Sequence, residues 1–145
     1  MADLDDFIKN IPKYNDGIDD VVKKTVLKLS EKIVTRTPVG NPGLWESSAP
    51  SGYAGGRARN NWFPSFGDPS NESTESTANE SLSRVLSILD RVPGSVFFLT
   101  NNLPYIRRLE YDGWSTQAPR GMVRVTLREA QQEIKRAAKQ NPDIR

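Results

Sequence analysis

The chain contains no cysteine and no histidine. Without cysteine there is no disulfide, no thiolate nucleophile and no cysteine-ligated zinc site. Without histidine the commonest general base, the commonest metal ligand and every Ser-His or Cys-His pairing are gone. Hydrophobic residues are scarce too, at 36% of 145 with a mean hydropathy of -0.60. A domain of this length should remove roughly 70% of its unfolded surface from water, which is possible only if those residues cluster. Some segments are therefore expected to be solvated loop, or to be buried against other chains. No stretch approaches the roughly 20 apolar residues of a membrane span, and the acidic start MADLDDFIKN lacks the pattern of a signal peptide. The chain reads as a protein of an aqueous compartment with no membrane partner.

Charge is nearly balanced, 20 Lys and Arg against 18 Asp and Glu, for a net +2. A pI near 9.0 then reflects missing groups near neutrality and not a cationic surface, so it is weak evidence for nucleic acid. The distribution is uneven. Residues 1–20 hold six Asp against Lys9 and Lys13, while residues 120–145 hold seven basic groups against Glu129, Glu133 and Asp143. Opposite polarity at the two ends would let copies attract head to tail.

The length suits one domain, residues 1–145, and the patterning suits an α+β fold: a small antiparallel sheet packed against two long helices plus shorter helices, with a long extended loop. Leu4, Phe7 and Ile8 fit a short amphipathic piece before Pro12, giving an N-terminal arm over 1–14. Ile18, Val22, Val26, Leu29 and Ile33 make a helical stripe that Thr37-Pro38 ends. Residues 38–62 hold a long loop rich in Pro and Gly, and loops of this length are usually functional or ordered by a partner. Trp62, Phe63 and Phe66 around Pro64 suggest an edge strand. Residues 67–78, polar and rich in turn formers, predict a mobile connector. A helix from Asn79 or Ser81 carries Leu82, Val85, Leu86 and Leu89 to Pro93-Gly94, and SVFFLT at 95–100 is the best strand.

Residues 102–122 specify a short helix and its stop. Asn102 is placed to cap it, with Pro104 in its first turn. Gly113 supplies the left-handed ending, and Trp114 is placed to fold back on Leu109. Pro119 then opens a last helix whose Val123, Leu127, Ala130, Ile134 and Ala137 form a stripe able to pair with the first helix or the sheet. The alternation in VRVTL at 123–127 leaves a strand open as the alternative.

Catalytic chemistry finds little support. The Asp pairs 5/6 and 19/20 could in principle act as acid and base or hold magnesium, but neighbours on a helix do not face each other and both pairs sit near helix starts, where negative charge is favoured. Glu110 follows Arg107 by three positions, the spacing of a local ion pair. The glycines at 55 and 56 lack the Lys-Ser or Lys-Thr and the helix of a phosphate cradle. No catalytic residue, cofactor or metal site is expected. Arg57 and Arg59 with Trp62 form a basic and aromatic group. It is read as a protein interface, since Arg and Trp are hot-spot residues; the alternative is a small nucleic-acid-binding module using Arg57, Arg59 and the basic C-terminal helix.

The order of these landmarks resembles a family of small structural proteins of long-tailed bacteriophages, described as minor tail components, tail-completion proteins or neck proteins. The resemblance rests on Arg36 to Val39 (Arg-Thr-Pro-Val), Gly56 to Trp62 (Gly-basic-x-basic-x-x-Trp), a strand and Asn, Tyr105 to Gly113 (Tyr-x-x-x-Leu-Glu-x-x-Gly), and Ala118 to Met122 entering the last helix. Two departures stand out. Residues 40–55 intervene where the link is usually very short, and Ile106 stands where a small residue is commoner. The resemblance implies a virion protein, made in the bacterial host cytoplasm, that forms a ring, six copies being the expected number, at the head-to-tail junction. Its partners would be other copies, the adjoining head-closure, adaptor, tail-terminator or tail-tube proteins, and DNA passing through without sequence-specific contact. Residues placed at such interfaces are Trp45, Tyr53, Arg57, Arg59, Trp62, Tyr105, Glu110 and Trp114.

Overall fold

The computed structural model describes residues 4–41, 51 and 53–140, with side chains from Gly17 onward except those of Glu133 and Ala137. In order, the elements are α1 (Leu4–Arg36), α2 (Arg57–Asn60), β1 (Phe63–Phe66), α3 (Ser81–Ile88) with a 3-10 turn at Leu89–Arg91, β2 (Phe97–Thr100), α4 (Ile106–Tyr111) and α5 (Val123–Gln140). The class is α+β, with a two-stranded antiparallel sheet.

Helix α1 corrects the expected break after the N-terminal arm: one helix of 33 residues, about 50 Å long at 1.5 Å per residue, passes straight through Pro12. Proline removes one N–H and crowds the carbonyl four residues back, at about 3 kcal/mol. That cost is confined to one turn and does not stop a helix with long runs on either side. Its end is as the sequence implies. The amide of Thr37 is shared by the carbonyls of Ile33 and Val34, both at 3.1 Å, its hydroxyl donates to Ile33 O at 2.7 Å, and Pro38 cannot continue the ladder.

Strand β1 pairs with β2 in the register Phe63↔Thr100 to Phe66↔Phe97. Two strands give each an open edge, so Pro64 is tolerated where a central strand would reject it. An isolated two-stranded sheet is marginal. Helix α3 backs this one through Val85, which is fully buried, and Arg84, whose guanidinium sits 4.0 Å from the Phe63 ring centroid. At the far end Phe66 and Phe97 meet edge to face at 6.2 Å.

The core gathers Ile33 and Val34 of α1, Ala58 and Trp62 around α2, and Leu103, Leu109, Ala118 and Met122 from the second half of the chain, with Leu82, Leu99, Tyr105, Ile106 and Val123 packed against it. Helix α5 is a helix and not the alternative strand, but it begins at Val123 with Pro119 in the preceding turn. Its apolar stripe is only partly covered: Val123 packs against the core, whereas Leu127 is 58% and Ile134 48% exposed. Polar contacts to α1 come from Thr126 and Glu129, held by Arg36 and Lys32. The stripe of α1 is likewise uncovered at Ile18, 53% exposed.

The polar segment 67–78 also departs from expectation. It forms neither helix nor strand, yet it is pinned along its length. Asn61 donates to Thr74 O at 3.0 Å and accepts from Thr74 N at 2.8 Å. Asn60 donates to Ser76 O at 2.9 Å and accepts from Glu80 N at 2.6 Å. Both asparagines are completely buried. Asn102 donates to the carbonyls of Ser70 and Glu72 and so does not cap α4, which starts at Ile106 after Tyr105. Because a buried backbone group must find a partner, a segment whose apolar side chains are only Pro69 and Ala78 is fixed here by amides reaching in from its neighbours.

Candidate docking groove

The expected loop over 38–62 separates into three parts. Residues 57–62 belong to the frame, through α2 and the buried Trp62. Residues 38–41 and 53–56 run side by side: a Cβ on Gly40 would collide with the Tyr53 hydroxyl, and one on Gly55 with the Gly40 carbonyl. Between them, residues 42–50, with Trp45, and residue 52 lie outside the described residues.

These paired ends form one wall of a groove of about 1220 Å³, with the Glu75–Thr77 stretch, Tyr105 and Leu109, and the Trp114–Gln117 turn as its other walls. Each wall is fixed by a specific contact. The side-chain amide of Gln117 pairs with the backbone of Val39, accepting from its N–H at 3.1 Å and donating to its carbonyl at 2.8 Å. Arg57 donates to Thr74 O at 3.2 Å and to the Glu75 carboxylate at 2.8 Å. Gly113 adopts φ 60°, the left-handed ending expected of it. Trp114 does not fold into the core, however: it is 59% exposed, with the Arg108 guanidinium 5.0 Å from its ring, an arrangement that holds a large aromatic at the surface. Burial pushes the Tyr105 hydroxyl above its ordinary pKa, against the lowering influence of Arg57, with Tyr53 and Glu75 adding to the rise, so it stays a neutral hydrogen-bonding group. Tyr53 is 39% exposed.

The groove thus brings together Tyr53, Arg57, Tyr105 and Trp114. Of the other expected interface residues, Arg59, Trp62 and Glu110 serve the fold. Arg59 donates to the carbonyls of Thr35 at 2.9 Å and Thr37 at 3.0 Å, placing a cation on the last carbonyls of α1 where the helix dipole favours it. Trp62 is buried and donates its indole N–H to the Thr37 hydroxyl at 2.8 Å. Glu110 makes no pair with Arg107. It is 6% exposed and accepts from the amides of Met122, Val123 and Arg124 at 2.7, 2.9 and 2.9 Å, while the Arg124 side chain bonds both its carboxylate and its carbonyl. A carboxylate from another helix therefore caps α5, satisfying orphan donors of its first turn. Burial pushes the Glu110 pKa up, but the amides of Arg124, Met122 and Val123 and the Arg124 side chain outweigh it and hold the carboxyl below its ordinary value. Gly121 makes room for this: a Cβ there would lie within 2.8 Å of three Glu110 atoms.

Gln117, Val39 and Glu75 are groove residues that sequence reading missed, and no local motif marks them. Among the described residues no group of three or more acidic side chains is placed to hold a metal ion, and no helix is long and apolar enough to cross a membrane. Comparison with known proteins finds no family model, no curated protein and no solved structure that matches this chain.

Proposed function

We propose that this chain is a structural subunit of the head-to-tail junction of a long-tailed bacteriophage, present as a ring that joins the tail to the capsid connector and lets DNA pass. The observation that carries the reading is that the landmarks of the resemblance are physically bonded to one another. Thr37 of the Arg-Thr-Pro-Val piece accepts from Trp62 of the Gly-Arg stretch, Asn101 after β2 donates to Ala58 O at 2.9 Å, and Glu110 caps the helix that Ala118 to Met122 enter. Five short pieces spread over about 90 residues of sequence make one frame, which is what a shared architecture requires of them. The groove beside that frame, with exposed aromatics on its walls, suits a protein partner.

The same geometry counts against Arg57 and Arg59 as phosphate contacts, because each engages its Nε and one terminal nitrogen on neighbouring backbone or Glu75. As a ring component the subunit performs no turnover, and its work is complementarity at two different surfaces, as a cyclic assembly demands.

The test is genetic and structural together. In a phage encoding this chain, a nonsense codon at position 45 leaves filled heads and separate tails in the lysate, and supplying Trp114→Ala protein, which keeps its helical signature and melting temperature, restores joined particles less than a tenth as well as the native chain does. Normal infectious particles that lack the polypeptide would refute the proposal.

A further inference from the structure

Where α1 and α5 meet, a cleft of about 410 Å³ opens between them, lined by Lys32, Arg36, Arg128, Glu129, Gln132 and Arg136. Helix α1 supplies two cations one turn apart. Helix α5 supplies positions 128, 132 and 136, whose spacing of four keeps them on one face. Among these described residues four cations stand against one carboxylate, an excess of three positive charges. Glu129 is already shared by Lys32 at 2.7 Å and Arg36 at 2.9 Å. Arg128, Gln132 and Arg136 are exposed, and Arg128 makes no hydrogen bond or ion pair among the described residues. The face runs on past the cleft, since Lys139 follows Arg136 by three positions. From Arg128 to Lys139 the row is about 17 Å long at 1.5 Å per residue.

We infer that this cleft holds the phosphate backbone of a nucleic-acid duplex, gripped without regard to sequence. The lining selects the ligand. None of its six residues is apolar or aromatic, so it offers neither a platform on which a base could stack nor the apolar centre of a protein interface. Its three arginines carry forked donors that suit an oxyanion. The length of the row then favours a repeating anion over an isolated one, because along about 17 Å a single DNA strand presents about five phosphates. Contacts of this kind fix position and carry no sequence information. The inference deepens the ring proposed above by giving the passing DNA a surface on the subunit, and rests on that reading only for its place in a particle. The charge of the cleft does not depend on it.

The test is a salt series with full-length protein and a short labelled duplex of arbitrary sequence, followed by fluorescence anisotropy. Binding is expected at low salt, with log affinity falling against log salt at a slope near −3, the value for about three neutralised phosphates. Arg128→Glu with Arg136→Glu should weaken binding at least about tenfold and flatten the slope by about two. Gln132→Glu should weaken it and Gln132→Arg strengthen it, each by about threefold, since one charge is set in the cleft with no cation removed. The comparison pair is Arg107→Glu with Arg120→Glu, which makes the same change of net charge at exposed positions elsewhere and should leave affinity within about twofold. Circular dichroism of each variant checks the fold. No binding at low salt, equal losses from the two pairs, or displacement of the duplex by inorganic phosphate or a polyglutamate peptide at matched ionic strength would overturn the inference. Cleft-dependent binding by a polypeptide absent from particles would leave the site intact and remove the virion reading; particles that need the chain but contain a subunit with no affinity for duplex would do the reverse.

Discussion

Two carboxylates on the long-helix side of the molecule, Glu110 and Glu129, receive similar numbers of donors in opposite settings. Glu110 is enclosed, takes three backbone amides and one arginine, and ties α4 to the start of α5. Glu129 is 40% exposed and takes Lys32 at 2.7 Å and both of its Arg36 contacts at 2.9 Å, holding α1 beside α5 part-way along. Its pKa falls from 4.5 to about 2, through the hydrogen bonds of Lys32 and then Arg36. The first joins elements through groups that have no alternative partner. The second joins them through groups that water would serve nearly as well. One helix is thus fixed at its root by an enclosed carboxylate and along its shaft by a partly exposed one.

The sharpest way to break this comparison is to remove Glu110. Glu110→Ala strands three amides and a guanidinium and should cost about 3 kcal/mol, read as a lowered midpoint in urea; a loss no larger than that of Glu129→Ala would erase the distinction. Next in size is Asn61→Ala, which strips the Thr74 amide of its acceptor and leaves its carbonyl to Arg57 alone and should cost about 2 kcal/mol, with faster amide exchange confined to the 67–78 segment as its signature. The smallest effect belongs to Glu129→Gln, which should shift the melting point only slightly at neutral pH and not at all in 0.5 M salt. Acid separates the pair further. Both carboxyls have folded pKa values below their unfolded ones, so each contributes stability above the unfolded value and loses it as pH falls through the folded one. For Glu129 that window runs from about 4.5 down to about 2, and Glu129→Gln should flatten the native chain's decline there.

Element types were legible in the sequence wherever a period met a stop: the end of α1 at Thr37-Pro38, α3 before Pro93-Gly94, the strand at 97–100 and the ending at Gly113 all follow from local chemistry. Facing was not. The row through Leu127 and Ile134 has the period of a core stripe, but which surface it meets depends on where Glu110 and Arg36 fix α5, and neither contact has a sequence signal. Asn60 and Asn61 were unreadable for a related reason: asparagine is ordinary in turns, and only the packed structure reveals that these two replace hydrophobic burial for a polar segment. Of the groove, Tyr53, Arg57, Tyr105 and Trp114 were visible as large or charged residues in loops, whereas Trp62 looked the same and lies inside.

That last placement gives the molecule an optical sensor of its own integrity. An indole buried in the core that Ile33, Val34 and Met122 share emits at shorter wavelength than one in water, so in a Trp45→Phe, Trp114→Phe background the single remaining tryptophan reports whether the frame around Thr37 is closed. Its colour would follow the subunit from free chain into any larger body, without a label.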